Sequence, residues 1–85
     1  MGQGATILLA NLKYSAHEQD LMELFKEFKF DPVRCRLLYD SEGNSRGSGF
    51  VEMRGEQDAR AAIDALSGHN FQGRNLKVSL ADNKR

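Results

Sequence analysis

The chain has 85 residues and a mass of 9.5 kDa, enough for one domain around one compact core. Apolar residues make up 40% and charged residues 28%, the mix of a folded domain and not of a disordered tail. Twelve Lys and Arg balance twelve Asp and Glu, which excludes a polycation that binds any polyanion through bulk charge, and a single cysteine excludes an internal disulfide or a cysteine-built zinc site.

Residues 1–5 are small and patternless and read as a loose N-terminal end. Thr6 to Leu12 is apolar and β-branched, which predicts a buried strand. Its apolar run, Ile7 to Ala10, is the longest in the chain and far too short for a membrane span. No basic-then-apolar leader opens the sequence, so an intracellular setting without a membrane partner is expected. Ser15 and Glu18 have the spacing of a capping box and predict the start of a helix. Leu21, Leu24, Phe25 and Phe28 then form one apolar stripe, and Asp31-Pro32 ends it.

Val33 to Tyr39 alternates. Val33, Cys35 and Leu37 are predicted inward and Arg34, Arg36 and Leu38 outward. Asp40 to Arg46 reads as a polar turn and Ser48 to Met53 as the next strand of a hairpin. A second helix is predicted over Glu56 to Leu66, with Ala59, Ala62, Ile63 and Leu66 on one stripe and Ser67-Gly68 as its stop. Gly68 to Arg74 reads as turns. Asn75 to Ala81 reads as a last strand, with Leu76, Val78 and Leu80 inward and Lys77 and Ser79 outward. Residues 82–85 are a polar tail.

Two strand–helix–strand halves, each with a single-stripe helix, predict an α+β fold: a ferredoxin-like βαββαβ sandwich. Its four-stranded antiparallel sheet carries both helices on one face. The other sheet face is then open to solvent. On the Ser48–Met53 strand, Gly49, Val51 and Met53 suit the helix-facing side. That leaves Phe50 outside between Ser48 and Glu52. Gly49 is expected to let a helix approach closely. The two helices, taken as 16–29 and 56–66, hold seven acids and three bases, leaving nine bases and five acids elsewhere. A neutral chain polarised in this way steers a polyanion to its sheet side. An exposed ring beside guanidinium groups provides both things that single-stranded nucleic acid needs, a stacking surface for bases and cations for phosphates.

The segment Arg46-Gly47-Ser48-Gly49-Phe50-Val51-Glu52-Met53 resembles the octapeptide of the RNA-recognition motif (RRM), and Ile7-Leu8-Leu9-Ala10-Asn11-Leu12 resembles its partner hexapeptide. Asp40 before the hairpin loop, the Leu21–Phe28 helix and Gly73-Arg74-x-Leu76-x-Val78 are further family-like features, and the likeness runs from about Thr6 to Ala81. It implies an RRM domain over 6–81 that binds single-stranded RNA on the open sheet face. Such modules commonly stand within larger RNA-processing or RNA-regulatory proteins. The RNA-binding residues so implied are Phe50, Leu8, Arg46, Arg34, Arg36, Leu38, Ser48, Lys77 and Ser79, with Lys84 and Arg85 in the tail. The family normally offers three aromatics on this face. Here Leu8 and Ser48 stand in two of those positions and only Phe50 remains, so a larger share of the binding is expected from the cations.

The expected partner is single-stranded RNA, with single-stranded DNA as a second ligand of the same chemistry, and the chain is expected to be monomeric. The alternative function is an RRM-fold protein-interaction module with weak or no RNA binding, docking a partner on its helical face. An enzyme is not expected. His17 and His69 lie far apart in polar contexts, no catalytic or metal-spaced set is visible, and Gly47-Ser48-Gly49 leads into a strand where a dinucleotide loop would open a helix. No cofactor is expected either. Cys35 reads as a small buried apolar residue.

Overall fold

A computed structural model describes residues 5–81. Its elements in chain order are β1 (Ala5–Ala10), α1 (Glu18–Glu27), β2 (Arg34–Tyr39), β3 (Ser45–Met53), α2 (Glu56–Leu66), β4 (Asn70–Phe71), β5 (Arg74–Asn75) and β6 (Lys77–Leu80). The main sheet has the order β2-β3-β1-β6, with every neighbouring pair antiparallel. Both helices cover one face, α1 against β2 and α2 against β1, β3 and β6. This is the predicted α+β sandwich. The stretch 68–74, read as turns, contains β4 and the first residue of β5, which pair as a small second sheet.

The core lies between the helices and that covered face. Ile7 and Leu9 from β1, Val51 and Met53 from β3, and Leu21 and Phe25 from α1 are among its largest members, and each is almost fully buried. Burying one side chain of this size stabilises the fold by about 1.5–3 kcal/mol. Ala59 and Ala62 supply the flat, small face on which α2 lies close to the sheet.

The start of α1 differs from expectation. His17 is the N-cap, and its backbone N–H donates to Asp20 Oδ2 at 2.9 Å. That bond holds the Asp20 carboxyl below its ordinary range. Glu18, predicted to pair with Ser15, is instead drawn to β2, where its Oε2 accepts a 3.0 Å bond from Leu37 N–H. As β2 is an edge strand, an acceptor from the neighbouring helix there satisfies a backbone donor that a sheet interior would have paired. The helix also ends before Asp31-Pro32. Lys29 takes the left-handed conformation at φ 69°, while Phe30 N–H donates to Phe25 O and Lys29 N–H to Lys26 O. This is a Schellman motif with lysine in the usual glycine position, and the Phe25 and Phe30 rings accompany it at 6.2 Å.

Other boundaries shift for local reasons. Ala5 joins β1 and the strand stops at Ala10, because Asn11 turns left-handed at φ 64°. Val33 lies outside β2 and is 49% exposed, contrary to its predicted inward position. Leu80 pairs with Ile7 on the covered parity but is 41% exposed at the strand end, where the core no longer reaches. β3 begins at Ser45, three residues earlier than predicted. The register runs Leu37↔Gly49 and then Tyr39↔Ser45, so Arg46 to Ser48 bulge opposite Leu38 alone. Gly47, at φ 72°, makes that irregularity feasible.

Gly49 proves necessary for a different reason from the one expected. A Cβ there would lie 2.6 Å from the backbone oxygen of Arg36, so the close neighbour is the adjacent strand and not a helix. Cys35 is half-buried, with Sγ 3.2 Å from Met22 Sδ on α1. Burial first, and the Glu18 carboxylate second, push its thiol up to about 11. His69, expected at the surface, is half-buried and meets the Phe28 ring edge-on at 5.0 Å.

Candidate nucleic-acid interface

Strand register assembles the open face. Arg36, Phe50, Leu8 and Ser79 are successive cross-strand partners, forming one row over all four strands. Arg34, Glu52 and Thr6 form the next row, which Ala81 N–H extends by donating to Thr6 O. On the other side Ser48, Ala10 and Lys77 form a third. Facing residues in such rows stand about 4.5–5.5 Å apart, close enough for one planar ligand to touch several. β3 alternates strictly, with Gly49, Val51 and Met53 buried and Ser48, Phe50 and Glu52 half-buried on the open side.

Two of these rows enclose a concavity of about 590 Å³ lined by Thr6, Leu8, Arg34, Arg36, Phe50, Glu52, Leu80 and Ala81. Its floor is therefore an aromatic ring beside an aliphatic side chain, with two guanidinium groups along one wall. Of the predicted residues, Phe50, Leu8, Arg34 and Arg36 meet here. Ser48, Ser79 and Lys77 lie on the same sheet face outside the concavity. Leu38 and Arg46 belong to the bulged end of the β2–β3 ladder. Lys84 and Arg85 lie outside the described residues.

Thr6, Glu52, Leu80 and Ala81 were not anticipated as lining residues. Glu52 shares the parity of Phe50 and was legible to that extent. Thr6 and Ala81 enter through a strand register that no local pattern encodes.

The two arginines differ electrostatically. Arg34 Nε stands 3.7 Å from Glu52 Oε1, an ion pair too long to be a hydrogen bond. Arg36 has no carboxylate partner among the described residues. Two other sheet-side bases are already engaged: Arg54 with Asp31 at 3.0 Å, and Arg74 with Asn11 Oδ1 at 2.8 Å. Arg36 is thus the cation beside Phe50 best able to accept a phosphate without breaking an existing contact. Among the described residues no group of His, Cys, Asp and Glu is arranged to hold a metal ion, and no helix is long and apolar enough to cross a membrane.

Comparison with known proteins agrees with the fold. RbpA of Synechocystis sp. is 42% identical over 77 residues, which cover 89% of this chain and 75% of that protein. RNA-binding protein CP31B, chloroplastic, of Arabidopsis thaliana is 39% identical over 79 residues, 92% of this chain but 27% of that protein. The crystal structure of RNA Binding Protein PG1 superposes with a TM-score of 0.84 at 41% identity, covering 95% of this chain and 98% of that one. The family model of the RNA recognition motif matches residues 7–77, and the chain belongs to that family.

Proposed function

We propose that this chain is a binding module for single-stranded RNA that uses the open face of its sheet, with residues 6–81 as the binding unit and an intracellular RNA-processing or RNA-regulatory protein as its setting. The observation that carries the reading is the row Arg36–Phe50–Leu8, an outward ring between a cation and an aliphatic support. A base stacks on Phe50, Leu8 supports its neighbour, and Arg36 meets a phosphate. Stacking on one side chain contributes about 1–3 kcal/mol per base. A lone platform of this size gives modest affinity, which suits a module that gains strength from tethered neighbours. Membership of the RRM family supports the reading, as do relatives such as CP31B that carry RNA binding in their names.

The test is a titration of the chain with a random-sequence single-stranded RNA pool and with a duplex of the same composition. Saturable binding of the single strand, with much weaker binding of the duplex, is expected, because paired bases cannot reach Phe50. Equal binding of both, or binding of neither, contradicts the proposal.

A further inference from the structure

A carboxylate in the middle of a phosphate-binding surface is electrostatically unfavourable unless it has a task. Glu52 stands two residues from Phe50 on the same face of β3, about 6.8 Å along the strand, and lines the same concavity. A purine stacked on Phe50 and extending along β3 brings its edge to that carboxylate. The Arg34 ion pair at 3.7 Å holds Glu52 from the side without consuming its acceptor sites by a hydrogen bond. An ionised carboxylate only accepts, and its two oxygens match two adjacent donors.

Among the four RNA bases, only guanine carries two adjacent donors on its pairing edge, N1–H and the 2-amino group. Adenine and cytosine set a ring acceptor beside their amino group. Uracil flanks one N–H with two carbonyls. Those acceptors would face the carboxylate with repulsion. The opposite edge of guanine, O6 and N7, accepts, and the arginines of β2 are donors along the same concavity.

From this juxtaposition we infer that Glu52 reads the donor edge of a guanine stacked on Phe50 and makes the sheet face selective for guanine-containing single strands. The inference rests on the RNA-binding reading above. It gives Glu52 a specificity role distinct from the stacking role of Phe50.

The test uses fluorescence-polarisation titrations of the chain with uridine-rich oligonucleotides that differ at one central position: guanosine, inosine, adenosine or uridine. Guanosine is expected to bind tightest, about tenfold over adenosine, a ratio within the range of one good bidentate contact. Inosine, which lacks only the 2-amino group, should fall between them. Glu52→Gln should bring the guanosine-to-adenosine ratio to about twofold or less, since the amide presents one acceptor where the carboxylate has two. Phe50→Ala should weaken all four oligonucleotides. If Glu52 merely holds Arg34, Glu52→Gln changes all four affinities by one factor and leaves the ratio intact, which overturns the inference. Equal affinities in the unmodified protein also overturn it while leaving RNA binding standing. Absence of binding to every oligonucleotide ends both.

Discussion

Arg36 is the direct cross-strand partner of Phe50, and both project from the sheet face that the helices leave uncovered. The pairing follows from the β2–β3 register, which is regular from Arg34↔Glu52 to Leu37↔Gly49 and fails only beyond. The ring and the guanidinium are therefore held by two paired strands, and neither depends on a loop for its position.

Phe50→Ala should weaken binding of single-stranded RNA by about 1–3 kcal/mol, the stacking contribution of one base. Folding should be little affected, because Phe50 is half-buried on the outer face and absent from the core cluster. Calorimetric titration beside a thermal melt checks both halves. A large loss of stability would mean that the ring belongs to the core.

Arg36→Ala and Arg34→Ala should differ in their salt dependence. Each single-strand phosphate neutralised by a protein contributes about 0.7 to the slope of log K against log salt. Removing Arg36 should lower the slope by about that much. Removing Arg34 should lower it less, since its charge is already partly compensated by Glu52 at 3.7 Å. Affinities measured over a series of salt concentrations decide the order, and a larger slope change for Arg34 would contradict it.

Gly49→Ala should destabilise the fold by about 1–3 kcal/mol, the usual cost of forcing atoms into a filled space. The added methyl would meet the Arg36 backbone oxygen at 2.6 Å, and relief requires moving β2 itself. RNA affinity should fall with stability, because the same strand carries Arg34 and Arg36. Urea unfolding of the variant measures the first effect, and a loss below about 0.5 kcal/mol would show that β2 yields easily.

Much of this was legible in the sequence, and the exceptions have physical causes. The α2 stripe and the β3 alternation are local periodicities, so both helix and strand could be read directly, and with them the outward position of Phe50. Glu18 was misread because its spacing from Ser15 fits a cap, while a backbone donor on an edge strand nineteen residues away claims its carboxylate. The need for Gly49 was legible but its cause was not, since the obstructing oxygen belongs to a separate strand. Thr6 entered the site through its pairing with Glu52, a long-range register.

Cys35 supplies a pH-dependent prediction. Its thiol is raised from an ordinary 9.0 to about 11 in the folded chain, by burial and then by Glu18. Between those values the unfolded chain loses the thiol proton and the folded chain keeps it. The thiol's contribution to stability is therefore complete below about pH 9 and declines as the pH rises towards 11. Unfolding followed over this range should show a steeper decline in the native chain than in Cys35→Ala, which lacks this titration and whose lost contact with Met22 shifts the whole curve without changing its slope. Parallel curves would contradict the assignment.

Amide chemical-shift mapping during titration with single-stranded RNA tests the central claim most directly. The account predicts the largest shifts at Leu8, Arg36, Phe50 and Glu52, with the α2 amides from Ala59 to Ala62 nearly still. Shifts confined to the helices, with those four residues unmoved at saturation, would contradict it.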